Sequence, residues 1–269
     1  MLQNSSWYSH ELIDAGIWAI NEQNMVYMFL IEGSKKALLI DTGWGLGNLK
    51  DYVRCLTARP LIIVNSHGHP DHVSGNYHFE SANISRADIP LMNKYHQKEL
   101  RELKLRTAIP HIPEQFDTKQ WIDAVPSSVA PIEEGHIFNL GGRIIEVIAI
   151  PGHTQGSIAL LDHKEGLLFT GDSLIHGEMW FHTEGAATLS NYQRSLQKLL
   201  KLSDRFEKVI SSHGQVQLPP STIEEIVASV ESIINGKQQG TPYSTFAGDG
   251  LLCQFDKFRI VYTENRIGI

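Results

Sequence analysis

The sequence lacks the features that mark membrane proteins and disulfide-rich secreted proteins. No stretch approaches the roughly 20 consecutive apolar residues that a membrane-spanning helix needs. The segment from Met1 to Ala19 has neither the basic start nor the compact apolar run of a secretory signal. Two cysteines, Cys55 and Cys253, do not make a disulfide framework. We therefore predict a cytoplasmic protein without a membrane segment.

Positive charge is also scarce. Lysine and arginine number 23 against 30 aspartates and glutamates, which gives a formal net charge of −7. The densest basic run, from Lys94 to Arg106, also holds Glu99 and Glu102, and its spacing is typical of the solvated face of a helix. Because nucleic-acid binding usually needs a basic patch, we predict a small-molecule substrate and no nucleic-acid partner.

Nothing in the composition points away from an ordinary globular enzyme. Hydrophobic residues make up 42% and charged residues 20% of the 269 positions, and no low-complexity or proline-rich linker interrupts them. A chain of this length can bury one large core, so we predict a single domain over residues 1–269.

Short apolar runs that end in polar, glycine-containing turns alternate with helical patterns. Val26 to Ile31 and Ala37 to Ile40 predict an antiparallel pair joined at Gly33-Ser34. Further predicted strands are 61–64, 143–150, 157–162, 167–170, 209–210 and a terminal pair within 251–262. Apolar residues in steps of three and four predict helices over 46–57, 190–202 and 222–235. This alternation predicts an α/β layered domain.

The segment from about residue 92 to residue 126 differs from its surroundings. It is polar and helix-prone at first, and the run Ile109-Pro110-His111-Ile112-Pro113 then breaks the helical pattern. We interpret it as a helical insertion over 92–126, either a substrate lid or a surface excursion without function.

The most informative motif is the run from Ser66 to His72, which places His67, His69, Asp71 and His72 directly after an apolar strand. Four ligand-type side chains this close would be costly if they were merely buried without partners. His67 and His69 project the same way from an extended segment, and Asp71 and His72 then face a second position. The spacing predicts two metal positions.

Three further candidates follow predicted strands in the same manner. His153 follows Ile148-Ala149-Ile150-Pro151-Gly152, Asp172 follows Leu168-Phe169-Thr170-Gly171, and His213 follows Val209-Ile210-Ser211-Ser212. Since open α/β sheets place their sites at the carboxyl ends of strands, we expect these side chains to join the first four.

The whole set resembles the metallo-β-lactamase superfamily, and within it the two-metal hydrolases related to glyoxalase II. The resemblance runs from about Asn24 to His213. It rests on Leu39-Ile40-Asp41-Thr42-Gly43, the His-x-His-x-Asp-His loop, Pro151-Gly152-His153-Thr154, Gly171-Asp172 and Ser212-His213-Gly214. It implies the four-layer αββα sandwich of that family, a fold that is compatible with a homodimer.

Carried over residue by residue, the resemblance implies His67, His69 and His153 on a first metal ion. It implies Asp71, His72 and His213 on a second, with Asp172 bridging both. Nitrogen and oxygen ligands without cysteine favour zinc, and manganese or iron are also tolerated. Two such ions can activate a bridging hydroxide, and Asp71 is the candidate that orients it and passes its proton to the leaving group. Asp41 either orients the ligand loop through hydrogen bonds or caps the following helix.

Substrate identity is less determined by these residues. His213 is followed by Gly214-Gln215-Val216 instead of the Glu-Tyr-Thr run typical of glyoxalase II, and Ile175 stands where lactone hydrolases commonly have tyrosine. We predict hydrolysis of a small ester, thioester or lactone. The alternatives are a phosphodiesterase or nuclease, an iron-binding redox enzyme, and a binding protein without activity. His176, His182, Tyr192 and Trp44 are candidates to line the substrate pocket.

Overall fold

A computed structural model describes residues 7–114 and 116–268 of the chain. The chain divides into two compact units. The first comprises Met1–Ile132 and Phe138–Ile144, and the second Glu133–Ile137 and Ile145–Ile269. Each unit has its own buried apolar clusters, so each is described by itself. That residues 1–269 form one domain stays a prediction.

The first unit is built on a seven-stranded mixed sheet with the order β1-β2-β3-β4-β5-β6-β7. The strands are β1 (Tyr8–Asp14), β2 (Ile17–Glu22), β3 (Val26–Glu32), β4 (Ala37–Ile40), β5 (Leu61–Val64), β6 (Ser81–Ser85) and β7 (Ser128–Ile132). Pairing is antiparallel from β1 to β4 and parallel from β4 to β7. The β3–β4 pair confirms the predicted hairpin.

Short helices complete the first unit: α1 (Leu49–Leu56), α2 (Pro70–Val73), α3 (Ile89–Tyr95), α4 (Lys98–Thr107) and α5 (Thr118–Asp123). The predicted helix over 46–57 begins later, at Leu49, because the Asn48 side chain accepts a hydrogen bond from the Asp51 amide and caps it. Leu49 and Val53 on its apolar face are buried in the core of the first unit.

The predicted insertion over 92–126 is helical, although its first helix, α3, begins three residues earlier. The prediction that the basic run of α4 is a solvated face is wrong for Arg101, which is only 1% exposed. Its guanidinium lies over the ring of Trp121 on α5 at 5.0 Å, a cation–π contact that residue spacing alone does not reveal.

The second unit carries two sheets. The first has the order β14-β13-β11-β10-β9-β8 and the second the order β12-β17-β16-β15. Their strands are β8 (Ile137–Asn139), β9 (Ile144–Ala149), β10 (Ile158–Asp162), β11 (Leu167–Phe169), β12 (Glu178–Phe181), β13 (Lys208–Ile210), β14 (Gln217–Leu218), β15 (Thr241–Thr245), β16 (Gly248–Gln254) and β17 (Arg259–Tyr262). Of these strands, the last two residues of β8 and the first residue of β9 fall within the bounds of the first unit. The β10–β11 and β16–β17 pairs confirm two predicted hairpins.

Helices α6 (Leu189–Leu200) and α7 (Ser221–Ile234) pack on the core of the second unit. Both confirm predicted helices to within one or two residues. The Thr188 hydroxyl caps α6 by accepting from the Asn191 amide, and Gly236, at a φ of +68°, follows the end of α7. Mixed sheets with helices on them confirm the predicted α/β class.

Of the helices in residues 7–114 and 116–268, none combines the length and the apolarity that crossing a bilayer would demand. The cytoplasmic location stays a prediction.

Candidate metal centre

The first unit presents its ligand-type side chains on the short connection after β5. His67 and His69 lie on an extended loop, and Asp71 and His72 lie in the first turn of α2, where Pro70 pre-sets the helical φ. The His67 Nε2 and His69 Nδ1 atoms are 3.1 Å apart, and the Asp71 Oδ2 atom lies 3.6 Å from the His72 Nε2 atom. The structure therefore brings all four predicted residues of this unit together in pairs.

These four side chains differ in their access to solvent. His67, His69 and His72 are buried, whereas 20% of the Asp71 side chain is exposed. Buried imidazoles must be held by hydrogen bonds or ligands, because leaving them unsolvated is costly. Asp71 is the one carboxylate among the four and the one that solvent reaches most.

Asp41, at the end of β4, organises this loop. Its backbone has a φ of +62°, a left-handed conformation that aspartate tolerates better than most residues. The carboxylate accepts hydrogen bonds from the Ser66 amide at 2.7 Å, the Ser66 hydroxyl at 2.7 Å and the His72 Nδ1–H at 2.8 Å. The structure thus supports the interpretation that Asp41 orients the ligand loop, and the helix cap of α1 is Asn48 instead.

Three further polar side chains hold the loop, and none of them was predicted from the sequence. The Asp88 carboxylate accepts from the Gly68 amide at 2.8 Å. The Asn65 amide group donates to the His72 carbonyl at 2.9 Å, and the Asn76 amide group donates to the Asn65 side-chain oxygen at 2.8 Å. No local pattern marks these residues, because Asp88 and Asn76 reach the loop only through the folded chain.

Glu22, at the end of β2, is a fully buried carboxylate in the same unit. It accepts hydrogen bonds from the Trp7 indole at 3.0 Å, the Trp44 amide at 2.7 Å and the Leu46 amide at 3.3 Å. Burial raises the pKa of Glu22 to about 7, although these donors act in the opposite direction. A Cβ atom at Gly43 would lie 2.2 Å from the Glu22 Oε2 atom, so only glycine fits there.

Trp44 itself is packed in an apolar cluster, and its carbonyl accepts from the Trp121 indole at 2.8 Å. Trp44 is only 5% exposed, so it is a core residue and does not line a substrate pocket as expected.

In the second unit, the three predicted ligands follow β9, β11 and β13. The β10 strand is antiparallel to both β9 and β11, and β11 is parallel to β13, so the carboxyl ends of these three strands lie at one edge of the sheet. His153, Asp172 and His213 follow these ends. The expectation that strand ends would gather them is met within this unit.

The carboxylate of Asp172 directs its two oxygens toward different histidines. Its Oδ2 atom lies 3.7 Å from the His153 Nε2 atom, and its Oδ1 atom lies 3.2 Å from the His213 Nε2 atom. The His153 Nδ1–H donates to the Trp180 carbonyl at 2.9 Å, which leaves Nε2 as the basic nitrogen. A carboxylate in this arrangement can serve two positions at once.

Tyr192 on α6 contacts two of the segments that carry these ligands, at Gly152 and at Ser173. Its hydroxyl donates to the carbonyl of Ser173, next to Asp172. A Cβ atom at Gly152 would lie 2.4 Å from the Tyr192 ring, so the residue before His153 must be glycine for the two segments to approach. Tyr192 is fully buried, so it positions the ligands instead of lining a pocket.

The histidines after Asp172 have local partners. The His176 Nδ1 atom lies 3.2 Å from the Gln215 side-chain oxygen, close to the His213 segment. The His182 Nε2 atom lies 2.9 Å from the Thr245 hydroxyl, and the His182 ring stacks edge-on against Trp180 at 5.4 Å. Burial lowers the pKa of His182. Both histidines brace the segments that flank the ligands.

The donors fit divalent metal ions. The ligand atoms of His67 and His69 lie within 4.8 Å of each other, as do those of Asp71 and His72 and those of Asp172 and His213. Imidazole nitrogens and carboxylate oxygens without thiolates are the ligands that zinc and similar divalent metals take. Hydrogen bonds fix the Nδ1 atoms of His72 and His153 and leave their Nε2 atoms to coordinate, the usual arrangement of metal-bound histidine.

Comparison with known proteins agrees with this chemistry. Residues 21–213 match the family model described as the metallo-beta-lactamase superfamily. The chain is 32% identical over 228 residues to the acyl-coenzyme A thioesterase MBLAC2 of Gallus gallus, covering 77% of this chain and 80% of that protein. It is 29% identical over 192 residues to the hydroxyacylglutathione hydrolase GloC of Haemophilus influenzae, covering 68% of this chain and 82% of that protein.

Solved structures show the same fold at low sequence identity. A metallo-beta-lactamase from Pontibacter korlensis superposes with a TM-score of 0.53 at 17% identity, covering 83% of this chain and 99% of that one. This likeness confirms the predicted fold class, an α/β sandwich of mixed sheets and helices. The chain belongs to the metallo-β-lactamase superfamily and is a metal-dependent hydrolase of that superfamily.

Proposed function

We propose that this protein hydrolyses thioesters with two divalent metal ions, most simply Zn²⁺. His67, His69 and His153 would hold the first ion; Asp71, His72 and His213 the second; and Asp172 would bridge them. The observation that carries this proposal is the Asp172 carboxylate, whose oxygens are directed toward two different histidines. The proposed substrate class follows from relatives that are named as thioesterases and hydroxyacylglutathione hydrolases.

Metal ions bound there would supply a water of lowered pKa and a Lewis acid for the thioester carbonyl. The chain's own residues then have two tasks. Asp41, through His72 and Ser66, fixes the ligand loop before substrate arrives, so little reorganisation is needed during the reaction. Asp71, the most exposed ligand of the first unit, takes the proton of the attacking water at its carboxylate and passes it to the leaving thiolate.

The other reaction classes receive less support. Phosphodiester cleavage fits the fold, but the similar curated proteins include acyl-coenzyme A, hydroxyacylglutathione and acyl-carrier thioester hydrolases. An iron-binding redox activity is disfavoured because His69 stands where such family members commonly carry glutamate. Manganese and iron remain chemically acceptable to the same donors, so we base the choice of zinc on the donor types alone.

The decisive experiment joins elemental analysis of the purified protein with a panel of a thioester, a lactone and a phosphodiester. We expect about two zinc ions per chain and turnover of the thioester. One ion per chain, or turnover of the phosphodiester alone, would contradict the proposal.

A variant separates metal binding from catalysis in the same assay. We expect Asp71→Ala to lower kcat by about 10²–10⁴-fold, the range of general acid–base catalysis, while at least one metal equivalent remains. Asp51→Ala, on the exposed surface of α1, is the matched control and should leave both readouts unchanged. Equal turnover in Asp71→Ala and the wild type would remove Asp71 from the mechanism.

A further inference from the structure

Helix α4 in the insertion carries four basic side chains that fall into two groups. Lys98 and Arg106 project into solvent, with side chains 65% and 74% exposed, and pair with Asp123 and Glu102. Arg101 is buried and Lys104 is half-buried. Arg101 and Lys104 lie three residues apart and are both shielded from solvent, so they share the inward side of α4.

Arg101 fixes which face of α4 points inward. Its guanidinium stacks on the Trp121 ring and donates to the Trp121 carbonyl, and the Trp121 indole in turn donates to the Trp44 carbonyl. Burial lowers the pKa of Arg101 to about 10, so the side chain is still a cation at neutral pH. Rotating α4 would break this stack, so the Lys104 backbone stays on the inward side of the helix.

Through Tyr95, the Lys104 side chain is connected with the ligand loop of the same unit. The Lys104 ammonium lies 5.6 Å from the centre of the Tyr95 ring, and Tyr95 stands edge-on to the His69 ring at 5.9 Å. The negative charge of Asp71 acts on Lys104 and raises its pKa, while the larger effect of burial lowers it. The positive charge of Lys104 therefore lies over the Tyr95 ring, which separates it from His69, and it interacts electrostatically with Asp71.

We propose that Lys104 is a specificity-determining residue that binds the anionic group on the thiol half of the substrate, a phosphate or a carboxylate. The inference rests on the proposed thioesterase function. The acyl half of a common thioester carries no charge, so an anion must come from the thiol half. A chain with a net charge of −7 repels anions at long range, and a local ammonium offsets that repulsion where the substrate binds.

The test compares three thioesters of one acyl group: the coenzyme A thioester, which carries phosphates; the glutathione thioester, which carries carboxylates; and the neutral N-acetylcysteamine thioester. In Lys104→Met we expect KM to rise about tenfold for at least one anionic substrate, as for loss of a single charge-assisted contact, with KM for the neutral substrate unchanged. Added salt should lower the wild-type preference for anionic substrates.

Two variants of the same helix complete the design. Lys104→Arg keeps the charge and should recover most of the affinity. Arg106→Met removes an exposed charge two residues away and should match the wild type. Loss confined to the coenzyme A thioester would identify a phosphate as the ligand of Lys104, and loss confined to the glutathione thioester would identify a carboxylate. An equal loss on all three thioesters, or no loss on any, would overturn the inference.

A binding measurement separates this inference from the proposed function. If the wild type hydrolyses none of the three thioesters, the proposed function fails. Calorimetry with a non-hydrolysable coenzyme A thioether and a non-hydrolysable glutathione thioether then still tests Lys104, since it needs no turnover. A Kd about tenfold higher in Lys104→Met than in the wild type, for at least one thioether, supports the inference. If Lys104→Met and the wild type bind each thioether equally well, the inference is overturned.

Discussion

The two units hold their ligand-type side chains in different ways. In the first unit, four of them lie within six consecutive positions, and a set of buried polar groups holds that loop: Asp41, Asn65, Asn76 and Asp88. In the second unit, three of them follow three separate strands, and the sheet itself brings them to one edge. There the support consists of the Trp180 carbonyl and the Tyr192 side chain.

The difference shows what each kind of site requires. A loop dense in ligands has no regular backbone pairing, so side chains must supply the hydrogen bonds that a strand would supply. Ligands at strand ends are positioned by the backbone hydrogen bonds between the strands, so they need few supporting side chains. We therefore expect the first unit to be sensitive to single polar substitutions and the second to tolerate them.

The largest expected effect is that of Asp41→Asn. Asparagine tolerates the left-handed backbone, but its one acceptor oxygen cannot serve the Ser66 amide, the Ser66 hydroxyl and the His72 Nδ1–H together. We expect metal affinity to fall about 10–100-fold and unfolding to become easier by about 1–3 kcal/mol. Competition with a coloured chelator and denaturant titration measure the two quantities.

Asp51→Asn on the exposed face of α1 is the control for that substitution. Unaltered metal affinity in Asp41→Asn would show that the loop keeps its geometry without this carboxylate, and the contrast between the units would be lost.

A pH-dependent effect of intermediate size is expected from Glu22. Burial raises its pKa from 4.5 to about 7, so between these values the folded protein keeps a proton that the unfolded chain releases. This contribution to stability is complete below pH 4.5 and is lost as the pH rises through about 7. Relative to Glu22→Gln, the unfolding free energy of the wild type should fall by on the order of 3 kcal/mol between about pH 4.5 and pH 8.

Denaturant titrations of chelator-treated protein across this pH range measure the Glu22 contribution without interference from metal release. A constant difference between the two proteins across the range would mean that Glu22 does not titrate in the folded state.

The smallest expected effect belongs to the second unit. Tyr192→Phe removes the hydrogen bond to the Ser173 carbonyl but keeps the ring that packs on Gly152. We expect a loss of about 1 kcal/mol in thermal or denaturant unfolding and metal affinity within about twofold of the wild type. A loss of metal affinity as large as that in Asp41→Asn would show that strand ends need side-chain support as much as the loop does.

The sequence predicts the α/β class, three hairpins and the long helices because each depends on short-range patterns. The β3–β4 turn at Gly33-Ser34 and the end of α7 near Gly236 both follow from local turn chemistry. All seven ligand candidates were likewise visible as histidines and aspartates that directly follow apolar runs. Their arrangement as a two-metal centre remains a proposal.

The supporting residues were mostly beyond sequence reasoning. Glu22 and Asp88 act at the loops only because the fold brings distant segments together, and neither lies in a motif. Arg101 was placed on a solvated face because its helix position resembles those of its exposed neighbours, and only the presence of Trp121 explains its burial. That residues 92–126 act as a lid, and that the protein forms a homodimer, stay predictions.

The clustering of His67, His69, Asp71 and His72 within six positions has a consequence for the denatured protein. A chelating segment this short survives unfolding, because its donors stay close along the chain. Metals that also bind the unfolded chain stabilise the native state less than their native affinity alone would give. Added zinc will therefore raise the melting temperature less than expected for a metal that binds only the native state. The denatured chain will retain part of its metal.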